Sequence, residues 1–96
     1  VFTIRQTDTY RNWFSKLKDK RAQSRVDIRI RRLSLGNAGD VKPVGAGVSE
    51  LRINYGPEYR VYYTAIGDEI IILLAGGDKS TQSKDIEKAK ELASNL

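Results

Sequence analysis

The side chains suited to phosphodiester chemistry lie in one stretch, Ser49 to Ile86, which reads SELRINYGPEYRVYYTAIGDEIIILLAGGDKSTQSKDI. Glu50 to Ile53 alternates, so Leu51 and Ile53 point one way and Glu50 and Arg52 the other, the period-2 pattern of a half-buried strand. Tyr59 to Ile66 is rich in strand-forming residues and sets Tyr59, Val61 and Tyr63 against Arg60 and Tyr62. If these runs pair as a hairpin across the Asn54–Glu58 turn, Glu50, Arg52, Arg60 and Tyr62 share a face. The turn after the next strand then brings Lys79 to the end of the sheet. A helix opening at Ser80 or Thr81 adds Gln82 and the positive end of its dipole. Such a group of cations, with a phenol beside it, suits metal-free RNA cleavage, in which a 2′-OH loses its proton and attacks the phosphate while the 5′ oxygen leaves protonated. Each proton transfer contributes on the order of 10² to 10⁴ in rate, and fixed cations around the phosphorane add a comparable amount.

Plainer roles exist for each of these residues. Arg60, between two tyrosines, can sit in a cation–π sandwich on a solvated face. Lys79 can be a surface lysine in a turn, Gln82 a helix cap and Tyr62 a packing residue. Asp78 and Asp85 suit the first turn of a helix for dipole reasons alone.

Other chemistries drop out. The chain has neither histidine nor cysteine, which removes Ser-His and Cys-His nucleophile pairs, zinc-finger spacing, iron–sulfur ligation and disulfides. No metal ligand set and no cofactor are expected. Gly76-Gly77-Asp78-Lys79-Ser80-Thr81 suggests a phosphate loop, but Asp78 stands where a glycine must precede the lysine.

The elements that must position these groups come in chain order. Val1 to Arg5 alternates as a first strand. Thr7 or Asp8 can cap a helix carrying Tyr10, Trp13, Phe14 and Leu17 at buried-stripe spacing. Asp19 begins a second helix, with Ala22, Val26, Ile30 and Leu33 on one face and Arg21, Arg25, Arg29 and Arg32 on the other. That arginine stripe is either a solvated face or a track for RNA phosphates that holds RNA without reading its sequence. Ser34 to Gly47 reads as a loop containing Lys42, a further substrate contact. Gly67-Asp68 reads as a two-residue hairpin turn. Ile70 to Ala75 does not alternate and suits an interior strand covered on both faces. The last helix, roughly Thr81 to Leu96, carries Ile86, Ala89, Ala93 and Leu96 along one side.

The 96 residues suit one domain able to bury its own core, spanning 1–96. A formal charge of +5 and a pI near 9.6 favour an acidic partner. No apolar run reaches the roughly 18 residues of a membrane span, and the lack of cysteine fits a cytoplasmic protein with no membrane partner. The expected fold is α+β, β-α-α-β-β-β-α. Its mainly antiparallel sheet packs an apolar face on the helices and offers a basic concave face.

Ser49-Glu50-Leu51-Arg52, the Gly56-Pro57 turn, Tyr59-Arg60-Val61-Tyr62-Tyr63 and Leu74-Ala75-Gly76-Gly77-Asp78-Lys79-Ser80-Thr81-Gln82 together resemble the HigB-type "addiction module killer protein" branch of the RelE/ParE toxin superfamily. The resemblance spans nearly the whole chain. It implies a type II toxin–antitoxin toxin, a ribosome-dependent mRNA endonuclease (mRNA interferase) that halts translation. In that family Arg52 matches a basic position on the first hairpin strand, Arg60 the strand arginine that holds the scissile phosphate, and Lys79 the basic residue that assists the leaving group. Glu50 stands where some relatives carry a second lysine, and the last helix lacks the tyrosine some relatives stack on a base. A guanidinium is a poor base, so Arg52 suits phosphate binding and leaves Glu50 as the proton acceptor. The implied partners are the ribosome, mRNA, a HigA-like helix-turn-helix antitoxin forming a toxin–antitoxin heterotetramer, and operator DNA reached through that antitoxin. Two alternatives share the fold: a ParE-type non-enzymatic inhibitor of DNA gyrase, and a degenerate interaction or co-repressor domain.

Overall fold

Side-chain caps set where the first two helices begin. In the computed structural model, which describes residues 1–96, the Thr7 hydroxyl accepts from the Tyr10 amide and opens α1 (Asp8–Ser15). The Asp19 carboxylate accepts from the Arg21 and Ala22 amides and opens α2 (Lys20–Ser34). Each cap satisfies amides that the first helical turn would otherwise leave unpaired. Before α1 runs β1 (Thr3–Gln6), and after α2 come β2 (Val41–Gly45), β3 (Val48–Ile53), β4 (Tyr59–Ile66) and β5 (Ile70–Gly77). A 3₁₀ turn over Lys79–Thr81 leads into α3 (Gln82–Ser94).

The strands form one five-stranded sheet in the order β1-β5-β4-β3-β2. Only β1 and β5 run parallel; the other neighbours are antiparallel. The fold is α+β with RelE-like topology. One strand more is present than the pattern suggests, because the stretch expected to be a loop, Ser34 to Gly47, contains β2. Pro43 and Gly45 hide the strand in the sequence, yet both are tolerated there because β2 is an edge strand with an irregular register between Pro43 and Gly45. The β4–β5 connection is also longer than a two-residue turn, running Gly67 to Glu69 with Ile66 opposite Ile70.

Each face of the sheet is covered by helix. Leu51, Ile53, Val61, Tyr63, Ile71 and Leu73 form one core with Tyr10 of α1 and Val26, Ile30 and Leu33 of α2. The aromatic stripe of α1 belongs to that core, with Trp13 and Phe14 packed around Tyr10. On the opposite face Val48, Tyr62, Ile72, Leu74 and Ala75 pack on Ala89, Ile86 and Leu92 of α3. The expectation of helices on one face and an open basic face on the other is therefore corrected. Ile86, Ala89 and Ala93 make an apolar side on α3 that has to be buried, and the second sheet face is what buries it.

One irregularity in β5 decides which way its last residues point. Tyr62 pairs with Ala75 and Tyr63 with Leu73, so Leu74 is an extra residue in the strand, a β-bulge. Its carbonyl accepts from the Thr7 hydroxyl at 2.6 Å. The bulge puts Leu74 and Ala75 on the same side. Gly76 then faces α1, where a side chain would overlap Trp13, and Gly77 faces α3.

Candidate functional site

The expected face exists, built from rows across the sheet. Lys42, Glu50, Tyr62 and Ala75 are successive ladder partners, and so are Arg52, Arg60 and Gly77. Directly opposed residues point to one side with Cβ atoms roughly 5 Å apart. The strand β2 thus brings Lys42 into line with Glu50.

Glu50 is the hub, and only 1 % of it is exposed. Its Oε2 accepts from the Gln82 amide at 2.7 Å and from the Tyr62 hydroxyl at 3.2 Å. The Arg60 Nε lies 3.4 Å from the same oxygen, and the Arg52 Nε lies 3.9 Å from Oε1. A charge so deeply buried needs this many partners, because leaving water costs a carboxylate several kcal/mol. Burial first, then the Glu50 charge and hydrogen bond, push the Tyr62 phenol well above its ordinary range, so Tyr62 is a fixed neutral donor.

Two placements differ from expectation. Glu50 lies beneath the arginines with its oxygens engaged, so it positions them and is out of reach of a substrate hydroxyl. Tyr62 is completely buried, so it cannot stack on a base and reaches the site only through Glu50. Both are hidden because α3 closes over this face and its Gln82 docks on Glu50.

The arginines differ from each other. Arg60 is 7 % exposed, and its NH1 donates to the Glu58 carbonyl at 2.9 Å. No aromatic sandwich holds it; the cation–π contact in the chain is Arg25 over Tyr55. Arg52 is partly exposed and also pairs with Asp40 at 3.5 Å. Both arginines turn their buried Nε–H groups toward carboxylates, Arg60 to Glu50 and Arg52 to Asp40 and Glu50, as ion pairs without hydrogen-bond geometry. They border a hollow of about 250 Å³ lined by Asp40, Arg52, Asn54, Glu58, Tyr59 and Arg60.

Lys79 does not line this hollow and is linked to it only by Glu58, whose carboxylate it meets at 3.5 Å. The lysine is exposed, and it shares a second recess with Ser80, Thr81 and Gln82 at the start of α3. The start of that helix differs from expectation. Asp78, rather than Ser80 or Thr81, supplies the side-chain cap, accepting from the Ser80 amide at 2.8 Å, and Thr81 makes no cap bond. The Thr81 hydroxyl donates instead to the Asp85 carboxylate at 2.6 Å. Burial is the first cause that raises the Asp85 carboxyl above its usual range, and the Thr81 bond partly opposes it. The sequence alone marks Asp85 only as a dipole-favoured residue. Its nearness to the site depends on the bulge in β5, which leaves no composition signal.

The arginine stripe of α2 divides. Arg21, Arg25 and Arg32 are exposed, and they line two shallow recesses beside Ile28. Arg25 lies 4.7 Å over the Tyr55 ring, and the Tyr55 hydroxyl donates to Asp19 at 2.8 Å. That hydrogen bond holds the Asp19 carboxyl below its ordinary range and the Tyr55 phenol above its own. Arg29 is not a free cation on this face. Its guanidinium donates to the carbonyls of Arg52, Ala38 and Asp40, the last two at 3.0 and 3.3 Å, and so ties α2 to β3 and to the segment before β2. The expectation of RNA contact is corrected for Arg29 on that ground.

An uncharacterized protein of Haemophilus influenzae is 52% identical to this chain over 93 residues, covering 97% of the chain and 94% of that protein. No helix is long and apolar enough to cross a membrane. With residues 12–96 matched by the family model described as "Phage derived protein Gp49-like (DUF891)", a match that includes every residue of the site, the chain belongs to the Gp49-like family.

Proposed function

We propose that the chain is the toxin of a type II toxin–antitoxin pair and cleaves mRNA on the ribosome, halting translation. The observation that carries this reading is the adjacent pair Arg52 and Arg60, ladder partners on one face of the sheet that border the same hollow. Guanidinium forks suit phosphate oxygens, and their rigidity favours the charge that builds up as the phosphorane forms. Glu50, Tyr62 and Gln82 hold the forks in place. Lys79, exposed on its turn and free to leave Glu58, donates a proton to the departing 5′ oxygen. Lys42, opposite Glu50 on the edge strand, adds a contact to the RNA backbone. The domain acts in the cytoplasm and takes no cofactor. A HigA-like helix-turn-helix antitoxin neutralises it within a heterotetramer, and the pair reaches operator DNA through the antitoxin.

Primer extension on mRNA translated in a reconstituted system tests this, with the wild type compared with Lys79→Ala. New 3′ ends within translated codons that vanish in the variant are expected. Intact message and normal translation with the wild type would overturn the proposal and direct attention to a DNA gyrase supercoiling assay.

A further inference from the structure

We infer that Asp85 is the general base of this site, the group that takes the proton from the attacking 2′-OH. The inference rests on the nuclease reading and supplies what that reading lacks. Arg52 and Arg60 are too basic to accept a proton at neutral pH. Glu50 is buried and surrounded by donors. Asp40 and Glu58 line the hollow but are paired with Arg52 and Lys79, which leaves Asp85 as the carboxylate on this face without an ion pair.

Asp85 comes to the site through an absence in β5. Gly77 is the ladder partner of Arg60 and points to the same side of the sheet. A methyl group built on Gly77 would overlap the Asp85 carboxylate and approach the Thr81 hydroxyl to 3.0 Å. The Asp85 carboxylate thus fills the place of the side chain Gly77 lacks. The row Arg52–Arg60–Gly77 then reads, in side chains, as guanidinium, guanidinium, carboxylate. The β5 bulge is what turns Gly77 to this face, since uninterrupted alternation from Leu73 would have pointed it at α1.

Three further facts fit a base and not a salt-bridge partner. Asp85 forms no ion pair, although the two arginines stand on the same face and Lys84 is its chain neighbour. Thr81 holds Oδ2, while Oδ1 accepts no hydrogen bond from the protein. Gln82, which docks on Glu50, and Asp85 are three residues apart on α3 and so share its face. The charged groups that act on the carboxylate are Asp78 from the turn and Lys84 on α3 itself, the Tyr62 phenol of β4 feels its charge, and Arg60 stands beside Gly77 on the same face.

In the cleavage step the 2′-OH proton passes to Asp85 Oδ1, and the 2′ oxygen forms a bond to phosphorus. The bond from phosphorus to the 5′ oxygen breaks, and the 5′ oxygen takes a proton from the Lys79 ammonium. The products are a 2′,3′-cyclic phosphate and a 5′-OH, with no water consumed. Asp85 and Lys79 then exchange protons with solvent to regain their starting states.

Single-turnover cleavage of ribosome-bound mRNA, followed from acidic to neutral pH, tests the assignment. Asp85→Asn keeps the shape and the Thr81 hydrogen bond, so circular dichroism should match the wild type. Its rate should fall on the order of 10²-fold to 10⁴-fold, and the acidic limb of the pH profile should disappear. Asp85→Ala should regain activity when formate is added. Thr81→Val, which removes a bond that favours the ionised carboxylate, should move the acidic limb to higher pH. A folded Asp85→Asn protein with wild-type rate and pH profile would overturn the assignment while leaving the nuclease reading intact, and so would an unmoved limb in Thr81→Val. Absence of cleavage by the wild type would remove both.

Discussion

Arg60 and Lys79 look interchangeable as cations beside a phosphate, but their burial gives them different tasks. Arg60 is the main charge partner of a buried carboxylate, so Arg60→Ala leaves Glu50 underpaired in low dielectric. The expected loss is about 3 kcal/mol of folding stability, read in urea unfolding. A loss of cleavage in that variant therefore has to be corrected for its folded fraction. Lys79 is exposed, and its pair with Glu58 is a surface one. Lys79→Ala should change stability by no more than about 0.5 kcal/mol while cutting cleavage on the order of 10²-fold or more, which makes it the cleaner probe of chemistry. Asp85 gives a prediction of opposite sign. Its carboxyl is raised in the folded state, so its contribution is present below the unfolded carboxylate range and is lost as pH rises through the folded value. At neutral pH the ionised Asp85 costs stability. Asp85→Asn should therefore melt higher than the wild type near neutrality, and the gap should close as pH falls below the ordinary carboxylate range. Thermal unfolding across that range checks it, and a gap that does not change with pH would contradict the burial of Asp85.

Among the elements, β5 and its bulge set the geometry. Gly76 and Gly77 face opposite sides, one receiving Trp13 of α1 and the other Asp85 of α3. Gly76→Ala pushes a methyl into the indole, and overpacking of this kind costs about 2 kcal/mol, measurable as a lower urea midpoint. Much at this scale is legible in the sequence. The alternation of Glu50 to Ile53 and Tyr59 to Tyr63 tells which residues share a face, the unbroken apolar run of β5 tells that it is interior, and Ala22, Val26, Ile30 and Leu33 tell which side of α2 is buried. Three features are not legible, each for a physical reason. β2 carries Pro43 and Gly45, which weaken any strand signal and are tolerated only because the strand lies at an edge. The side of the sheet that α3 covers depends on the crossing of the chain, which periodicity does not encode. The bulge at Leu74 leaves no trace in composition, yet it decides which way Gly77 points and so sets Asp85 against the ladder partner of Arg60.

At the scale of the whole molecule the charge is split between two tasks. The cations of the site are nearly all balanced at rest, Arg60 by Glu50, Arg52 by Asp40 and Glu50, and Lys79 by Glu58. The net charge of +5 is therefore carried largely elsewhere, and α2 with its exposed Arg21, Arg25 and Arg32 is the main unbalanced surface. That division predicts how binding should depend on salt. An incoming phosphate at the site displaces carboxylate partners already in place, whereas a phosphate on α2 displaces only counterions, and counterion release sets the salt slope. Replacing Arg21, Arg25 or Arg32 with alanine should weaken RNA or ribosome binding and lower the slope of log K against log salt by about 1 for each phosphate no longer neutralised. Folding stability should stay within about 0.5 kcal/mol. Arg29→Ala should do the reverse. It should leave the slope unchanged and cost about 2 kcal/mol in urea unfolding, because it removes a charged donor from carbonyls of β3 and of the segment before β2. Equal salt slopes across all four variants would mean that α2 does not track phosphates, and its arginines would then serve only as a solvated face.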